Sequence, residues 1–408
     1  MKLIGPFSQI LTLSGIPLKG AVKDEQLEII EDGGILIENG TILKVGNFDL
    51  LRNLHPKVEI QEIIGKNVLL PGFVDSHTHI CFGGNRSKDF AMRLNGKTYL
   101  EIAESGGGIW STVTNTRKES KENLVHSTLK KANHLLANGI TTIEIKSGYG
   151  LSVEDEIKML EAIHQVKNQS QADIISTFLG AHMKPRDFEG SNSEYLNLLV
   201  NEIFPILKSE KLTNRIDIFT EQSAFSVEDS RQYLQKAKEN GFEMTIHADQ
   251  FTPGGSLLAV EFNALSADHL EFSGENEIKA LANSDVVATA LPGASIGLGM
   301  RYTPARKLLD AGACLSIASD WNPGSAPMGD LLTQASILAT FEKLSMAEVL
   351  SGITFRAAKA LNFTDRGTLE AGKLADFVSF PTNDFRDIIY YQGQLKPNKV
   401  WKNETRIS

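Results

Sequence analysis

The chain is poor in cysteine and has no excess of positive charge. Only two of its 408 residues are cysteines, Cys81 and Cys314. Two thiols cannot provide a disulfide framework for a chain of this length, which favours a reducing compartment. The formal net charge is −9. Because an acidic surface repels phosphate backbones, we expect no nucleic-acid partner.

Long apolar runs are missing as well. No run approaches the length needed to cross a membrane, and residues 1–20 lack the sustained apolar stretch of a secretory signal. The sequence shows no internal repeat, low-complexity segment or block of like charge. With 41% apolar and 22% charged residues, the composition is typical of a globular protein. We therefore expect a cytoplasmic protein without a membrane partner.

From about residue 69, short apolar runs alternate with longer amphipathic segments. Eight strands separated by helices predict parallel β–α units, and eight such units close into a barrel. The main helices are predicted over residues 121–138, 154–167, 193–208 and 226–240. The strands are predicted over residues 69–74, 141–145, 174–179, 216–220, 244–246, 265–267, 286–290 and 315–318.

Both ends of the chain have β-type sequence. Residues 35–37 and 42–45 flank Glu38-Asn39-Gly40, which predicts a hairpin. Short apolar runs return near the end of the chain. The predicted fold is therefore α/β, a (β/α)8 TIM-type barrel plus a small β-sandwich domain built from both termini. The barrel is expected over residues 69–362, and the small domain over residues 1–68 and 363–408.

The most informative motif follows the first predicted barrel strand, where residues 75–79 are Asp-Ser-His-Thr-His. In a strand, residues i and i+2 point to the same side, so His77 and His79 would aim both rings at one point. A divalent metal can satisfy two buried imidazoles at once. An isolated His-x-His motif is, however, equally compatible with two solvated histidines.

Other strand ends decide between these interpretations, because active sites of β/α barrels lie at the C-terminal ends of the strands. Five of the nine histidines and one aspartate follow predicted strands. Each alone could be a packing residue or a helix cap, but burying so many titratable groups at one rim is costly without a metal or a substrate. These residues are His77, His79, His182, His247, His269 and Asp320.

Three imidazoles and a carboxylate suit Zn²⁺ or Fe²⁺ with an open position for water. Such a metal lowers the pKa of the water to about 7. A nearby carboxylate can accept the proton and return it to a leaving nitrogen. The residues therefore predict hydrolysis of an amide-like C–N bond.

In the order of its motifs, the chain resembles the amidohydrolase superfamily and, within it, imidazolonepropionases. The superfamily likeness rests on residues 75–79, on histidines after strands five and six, and on the aspartate after strand eight. The closer likeness covers nearly the whole chain. It is carried by residues 82–86, 104–109, 146–150, 178–182, 267–271, 320–325 and 369–377.

The resemblance implies hydrolysis of 4-imidazolone-5-propanoate to N-formimidoyl-L-glutamate in histidine degradation, by a homodimer. It implies one metal ion per chain, divalent or trivalent, Zn or Fe, held by His77, His79, His247 and Asp320. The substrate and product contacts that it implies are Arg86, Tyr149, His182, His269, Asn322, Gly324 and Ser325. Arg86 offers a fork of donors that matches the carboxylate of the propanoate tail.

Two positions refine this expectation. Two-metal relatives carry a modified lysine on strand four, whereas strand four here ends at Glu221, which predicts a single metal. Lys146, on strand two, is then expected to be a hydrogen-bond donor or an ion-pair partner.

Some imidazolonepropionases have a glutamate where this chain has Gln250. Because an amide is not a base, Gln250 is expected to contact and orient the substrate ring. Catalytic proton transfer would then pass to Asp320 and His269.

Two other functions stay open. One is a different amidohydrolase, such as a deaminase of a related heterocycle, which Arg86 disfavours because a simple nucleobase has no carboxylate to pair. The other is a non-catalytic amidohydrolase-like binding protein, which the four retained metal ligands disfavour. The glycine-rich residues 105–108 are expected either to fold over the site or to form a tight turn.

Overall fold

The computed structural model describes residues 1–407, which form a closed parallel barrel and a second sheet. The strands are β1 (Lys2–Leu11), β2 (Ile29–Glu38), β3 (Thr41–Asn47), β4 (Glu59–Glu62), β5 (Val68–Pro71), β6 (Phe73–Asp75), β7 (Ile140–Lys146), β8 (Asp173–Ala181), β9 (Arg215–Thr220), β10 (Glu243–Ala248), β11 (Ser266–His269), β12 (Val287–Ala290), β13 (Cys314–Ile317), β14 (Phe377–Phe380), β15 (Lys399–Lys402) and β16 (Thr405–Arg406).

The helices are α1 (Phe48–Leu54), α2 (Ser87–Leu94), α3 (Tyr99–Glu104), α4 (Ile109–Lys118), α5 (Lys121–Ala137), α6 (Val153–Gln169), α7 (Asn192–Leu198), α8 (Phe204–Ser209), α9 (Val227–Glu239), α10 (Gly255–Phe262), α11 (Glu275–Ala282), α12 (Pro292–Leu298), α13 (Ala305–Asp310), α14 (Leu331–Glu342), α15 (Met346–Gly352), α16 (Phe355–Ala360) and α17 (Arg386–Tyr390). A short 3-10 turn, Asp24–Gln26, precedes β2, and a π-helical turn, Leu199–Ile203, joins α7 to α8.

The eight parallel strands β6 to β13 form the barrel in chain order. The first and last strands meet just beyond their C-terminal ends. There the amide of Asp320 donates to the carbonyl of His77 at 3.0 Å, and the amide of His79 donates to the carbonyl of Trp321 at 3.0 Å. The predicted TIM-type barrel is confirmed, and its closure brings three predicted site residues to one seam.

Local sequence explains the strands and helices of the barrel. β9 is buried along its whole length, as expected for a parallel strand covered on both faces. The outer helices begin at serines: the side chains of Ser120, Ser152 and Ser226 each accept a hydrogen bond from the amide three residues later. This contact satisfies one of the free amides of the first turn.

The two ends of the chain form one mixed sheet in the order β16-β15-β14-β5-β1-β2-β3, with β4 also pairing with β1. The predicted hairpin is present, since Asn39 and Gly40 have φ values of 51° and 77° and connect β2 to β3 as a two-residue turn. Trp401 is buried edge-on to Phe7, with ring centroids 6.3 Å apart. This sheet, which we call the terminal sheet, fits the predicted small β domain.

The first predicted barrel strand, residues 69–74, is divided at Gly72. β5 pairs with β14 and β1 in the terminal sheet, whereas β6 pairs with β7 in the barrel. A Cβ atom at Gly72 would collide with the side chain of Thr141, so the chain passes close to β7 as it changes sheets. The terminal sheet therefore extends to Pro71, beyond the predicted boundary after residue 68.

The structure of residues 1–407 also describes the cysteines and the length and polarity of the helices. Both cysteines are buried free thiols, in line with the absence of a disulfide framework. No helix in this part of the chain is both long enough and apolar enough to span a membrane.

Candidate metal centre and active site

Three imidazoles converge at the C-terminal rim of the barrel. His77 and His79 follow β6, and His247 lies near the end of β10. The Nε2 atom of His79 lies 3.2 Å from Nε2 of His77 and 3.2 Å from Nε2 of His247. All three rings are buried, and their ligand atoms lie within 4.8 Å of one another. Buried nitrogens packed this closely have the arrangement of ligands to a shared metal ion.

Asp320 is the fourth residue at this point. Its Oδ1 atom lies 3.6 Å from Nε2 of His77 and 3.5 Å from Nε2 of His79. Its φ of 51° is in the left-handed region, which is uncommon for a residue other than glycine and clusters at functional sites. Asn322 donates from Nδ2 to Asp320 Oδ2 at 2.9 Å. Burial raises the pKa of Asp320 to about 7.

The outward nitrogens of two rings face carboxylates. Nδ1 of His77 lies 2.7 Å from Oδ2 of Asp268, and Nδ1 of His247 lies 2.9 Å from Oδ2 of Asp217. Such carboxylates fix the tautomer of a metal-binding histidine, so that Nε2 faces the metal. Burial lowers the pKa of His77 well below its usual value and that of His247 to about 4. The rings are therefore neutral, as metal binding requires, and the donor set fits Zn or Fe.

Lys146, at the end of β7, is fully buried and contacts the carboxylate that faces His247. Its Nζ atom lies 2.8 Å from Glu144 Oε1 and 2.9 Å from Asp217 Oδ2. Burial alone would lower the pKa of this lysine, but the two carboxylates outweigh it and raise the pKa. Lys146 is thus a charged ion-pair partner, as the sequence predicted.

His182 and Tyr149 lie beside the three imidazoles. Nδ1 of His182 lies 3.0 Å from the carbonyl of Gly148, so a neutral ring donates from Nδ1 and keeps Nε2 as an acceptor. The ring of His182 stacks on His79 at a centroid distance of 5.5 Å. Tyr149 lies 5.4 Å from the ring of His182, and burial raises the pKa of its phenol. Both side chains face the imidazole cluster.

His269 ends β11 on the other side of the cluster. Its ring centroid lies 5.3 Å from that of His247, and its φ is 85°. Thr303 donates a hydrogen bond to its carbonyl. Burial alone would lower the pKa of His269, but Glu271, whose Oε1 lies 3.5 Å from Nδ1, and Asp320 outweigh burial and raise the pKa. The two carboxylates therefore favour protonation of this ring, in contrast to the rings of His77 and His247.

The remaining predicted substrate contacts are Asn322, Gly324 and Ser325, which lie in the loop after Asp320, and Arg86, which lies next to that loop. Asn322 accepts from the amides of Gly324 and Ser325 through Oδ1, both at 2.8 Å. A Cβ atom at Gly324 would collide with the guanidinium of Arg86. Arg86 donates from Nε to Asp89 Oδ2 at 2.8 Å. The structure thus brings Arg86 next to the loop that follows Asp320.

Gln250 is buried, two residues beyond the end of β10. Glu221 holds the backbone beside it: Oε2 of Glu221 accepts from the amides of Phe251 at 2.9 Å and of Thr252 at 3.1 Å. The residue at the end of strand four therefore secures a loop, and the same carboxylate is committed to backbone amides.

Sequence reasoning missed the carboxylates that support these residues. Asp217 and Glu144 each stand between two isoleucines of a barrel strand, and an acidic residue in an apolar strand is a signal of a buried ion pair. Glu156 carries no such signal, because it lies in the ordinary polar pattern of α6. Its carboxylate nevertheless accepts from the amides of Gly150 and Leu151, both at 2.8 Å, and so shapes the loop of Tyr149.

Comparison with known proteins gives one consistent result. Residues 68–406 match the amidohydrolase family. An imidazolonepropionase of Bacillus cytotoxicus is 40% identical over 407 residues, which cover 98% of this chain and 95% of the relative. One of Bacillus cereus is 41% identical over 380 residues, covering 92% and 89%.

Solved structures show the same fold at low identity. A zinc complex of an atrazine chlorohydrolase from Arthrobacter aurescens has a TM-score of 0.73 at 17% identity, covering 100% of this chain and 95% of that one. A guanine deaminase from C. acetobutylicum with bound guanine has a TM-score of 0.69 at 16% identity, covering 100% of both chains. From the family match and the two relatives of about 40% identity, the chain belongs to the imidazolonepropionase family of amidohydrolases.

Proposed function

We propose that this chain hydrolyses 4-imidazolone-5-propanoate to N-formimidoyl-L-glutamate, a step of histidine degradation. One observation carries the proposal: four buried metal-ligand candidates converge at the barrel rim next to a loop that touches the guanidinium of Arg86. A hydrolytic centre beside a cation suits a cyclic amide with a carboxylate tail. The similarity to imidazolonepropionases supports this choice of substrate.

His77, His79, His247 and Asp320 would hold one Zn or Fe ion, divalent or trivalent. When bound, such an ion supplies a Lewis acid that polarises a carbonyl oxygen and acidifies water. A single ion per chain is supported by Glu221, whose carboxylate accepts from loop amides.

Arg86, Tyr149 and His182 would bind and orient the substrate. The guanidinium of Arg86 offers two parallel donors to the propanoate carboxylate. Tyr149 keeps its proton, because burial raises the pKa of its phenol, and it can donate to the tail or the ring. His182 offers Nε2 as an acceptor for a ring N–H, since its Nδ1 faces the carbonyl of Gly148.

Asp320 and His269 would move the protons. In the reaction, the oxygen of water adds to the ring carbonyl carbon, the C–N bond breaks and the departing nitrogen gains a proton. Asp320, whose carboxylate lies beside the imidazole cluster, can accept a proton of water and return it to the departing nitrogen. The raised pKa of His269 favours an imidazolium that donates to the carbonyl oxygen as charge develops. Gln250 would contact the ring without transferring a proton.

The direct test is an absorbance assay of freshly generated imidazolone propanoate with the purified chain. We expect the absorbance to fall and N-formimidoyl-L-glutamate to accumulate. Loss of substrate and formation of product should both stop when a chelator removes the metal. Metal analysis of the same sample identifies Zn or Fe. Release of ammonia in step with the absorbance change would instead favour a deaminase, and a fully metallated chain with no turnover would contradict the proposal.

His269→Ala separates a proton-transfer role from a ligand role. Because oxyanion and acid–base contributions are typically worth about 10²–10³ in rate, we expect turnover to fall by that factor while metal content per chain stays unchanged. His126→Ala is the matched control, since His126 is exposed on α5. Equal loss of metal and turnover would make His269 a ligand.

The homodimer stays a prediction. Sedimentation of the purified chain measures it directly, and a monomer at working concentration would contradict it. The absence of a nucleic-acid partner is likewise a prediction supported by the net charge of −9.

A further inference from the structure

Three charged residues lie along one face of α2, from the residue before the helix to its last turn. Arg86 precedes the helix, and Asp89 and Arg93 follow at spacings of three and seven residues, which place them on one side of a helix. The Nε atom of Arg86 donates to Oδ2 of Asp89 at 2.8 Å, with side-chain exposures of 11% and 9%. At this burial an ion pair is screened little by solvent and fixes the geometry of both partners.

Asp89 also contacts a second segment. The amide of Gly108 donates to the same Oδ2 atom at 2.8 Å. A Cβ atom at Gly107 would come within 2.6 Å of Oδ1 of Asp89, so this glycine is needed for the backbone to pack on the carboxylate. The glycine-rich residues 105–108 are therefore anchored, at least at their end, by Asp89.

The opposite end of the Arg86 guanidinium faces the active-site loop. Its Nη1 atom lies so close to the backbone of Gly324 that a Cβ atom there would collide with it. Gly324 in turn donates its amide to Asn322, which donates to Asp320. The Nε contact with Asp89 thus sets the orientation of a guanidinium whose Nη end lies beside the site.

The charges of this group add up to one unpaired positive charge. Arg93 donates from Nη1 to the carbonyl of Gly297, and its Nη2 lies 3.5 Å from the carbonyl of Gly324. Burial lowers the pKa of Arg93, Arg86 lowers it further, and Asp89 opposes both. Two guanidiniums and one carboxylate leave a net charge of +1, which matches a ligand with one carboxylate.

We propose that Asp89 is a positioning residue that orients Arg86 toward the carboxylate of the substrate, and that it thereby sets the preference for an anionic tail. This inference rests on the proposed function. The competing explanation is that Asp89 only anchors Gly108 and so supports the loop without acting on substrate affinity.

Asp89→Asn distinguishes the two roles. The amide keeps the size of the side chain and an oxygen that can accept from Gly108, but it removes the negative charge that faces Arg86. The probes are 3-(imidazol-4-yl)propanoate and 4-propylimidazole, which share the ring and its protonation and differ in the carboxylate. The substitution raises the net charge of the group from +1 to +2, which favours the acid, but it also weakens the charged hydrogen bond that orients Arg86. Because we infer that orientation outweighs the added charge, we expect affinity for the acid to fall about tenfold and affinity for propylimidazole to change less than about twofold. KM for the imidazolone should rise with kcat changed less than about threefold.

Asp49→Asn is the matched control, because the exposed side chains of Asp49 and Arg52 form an ion pair of the same spacing at 3.0 Å on α1. A second reading compares Arg86→Gln with the double variant Arg86→Gln/Asp89→Asn. If Asp89 acts through Arg86, the double variant binds the acid no more weakly than Arg86→Gln alone.

Three outcomes would overturn the inference: equal loss of affinity for both probes, additive losses in the double variant, or an Asp89→Asn chain that does not fold. Turnover of the wild-type chain is measured in the same samples. A wild-type chain that prefers the acid but does not hydrolyse the imidazolone contradicts the proposed function, while the ratio of the two affinities still decides the role of Asp89.

Discussion

Two buried lysines, Lys146 in the barrel and Lys402 in the terminal sheet, form the same kind of ion-pair cluster in different parts of the molecule. Each has two carboxylates within hydrogen-bond distance and almost no exposed surface. The partners are Glu144 at 2.8 Å and Asp217 at 2.9 Å for Lys146, and Asp376 at 2.7 Å and Asp173 at 2.9 Å for Lys402. We call these groups the rim cluster and the base cluster.

The two clusters differ in the groups that their carboxylates contact besides the lysine. In the rim cluster, Oδ2 of Asp217 also lies 2.9 Å from Nδ1 of His247, so the cluster ends at a candidate metal ligand. In the base cluster, Oδ1 of Asp376 accepts from the amide of Asn403 at 2.9 Å, so the cluster ends in the backbone of the terminal sheet. Asp173, the first residue of β8, ties that sheet to the opposite end of the barrel.

The comparison teaches that a buried ion pair by itself says little about function. Removing one partner of such a pair typically costs about 3–5 kcal/mol, because a buried charge is left uncompensated. Both clusters should therefore matter for stability. Only the rim cluster should matter for metal binding and turnover.

The largest effect is expected from Lys146→Met. Without the lysine, Glu144 and Asp217 are left as buried carboxylates that have lost their shared cation. Asp217 then loses the positive charge that helps to keep it ionised beside His247. We expect turnover to fall by about 10³ or more, together with loss of metal, because residues that orient metal ligands affect metal binding and turnover together. Turnover and metal content are measured on the same purified sample. If the variant kept both its turnover and its metal, the rim cluster would have no role in the active site.

A more selective change is Asp217→Asn. The side chain keeps its size, but the negative charge facing Nδ1 of His247 is lost. Outer carboxylates of this kind typically contribute about 10–100-fold to metal affinity, and we expect a loss in that range in competition with a chromogenic chelator. Asp376→Asn is the matched control from the base cluster and should leave metal affinity unchanged. A similar loss in both variants would show that the effect comes from general destabilisation.

The rim residues themselves could be predicted from the sequence, whereas their supports could not. His77, His79, His247 and Asp320 follow apolar runs, and parallel strands bring such positions to one rim whatever the details of packing. Asp217 is visible as an acid in an apolar strand, but its two partners come from β7 and β10 and are set by strand register. That register is not encoded in any local pattern.

The division at Gly72 is a second example. The apolar run continues across the glycine, so sequence alone predicts one strand over residues 69–74. The split arises because residues before Gly72 pair with strands of the terminal sheet and residues after it pair with β7. Periodicity describes which face of a strand is buried, and it does not identify the sheet to which the strand belongs.

Lys402→Met should separate stability from activity. Asp376 is left buried without its cation, and we expect the free energy of unfolding to fall by about 3 kcal/mol. Turnover per folded molecule should change by less than about twofold, because a distant site couples weakly to the rim. Urea unfolding and the absorbance assay on the same preparation give both numbers. A tenfold loss of turnover would mean that the base cluster acts on the active site.

The smallest expected effect is on the pH dependence of stability, to which Asp217 and Asp376 should contribute with opposite sign. Burial alone would raise the pKa of Asp217, but His247 and Lys146 outweigh it and hold the pKa below its ordinary value of 3.8. Burial raises the pKa of Asp376, and Lys402 opposes it only in part. A carboxyl whose folded-state pKa is lowered stabilises the fold above its unfolded pKa and loses that contribution as pH falls through the folded value; a raised pKa has the opposite sign.

Metal-free protein therefore gives two opposite trends, one below the ordinary carboxyl pKa of 3.8 for Asp217 and one above it for Asp376. Below about pH 4, the stability difference between wild type and Asp217→Asn should shrink as the pH falls, because the unfolded chain binds a proton at Asp217 while the folded chain does not. The difference between wild type and Asp376→Asn should shift in favour of the wild type, because protonation relieves a buried charge that the asparagine never carries. Urea unfolding at a series of pH values measures both slopes. Parallel slopes would mean that the two clusters hold their carboxylates in the same state, and the distinction between rim and base would then rest on His247 alone.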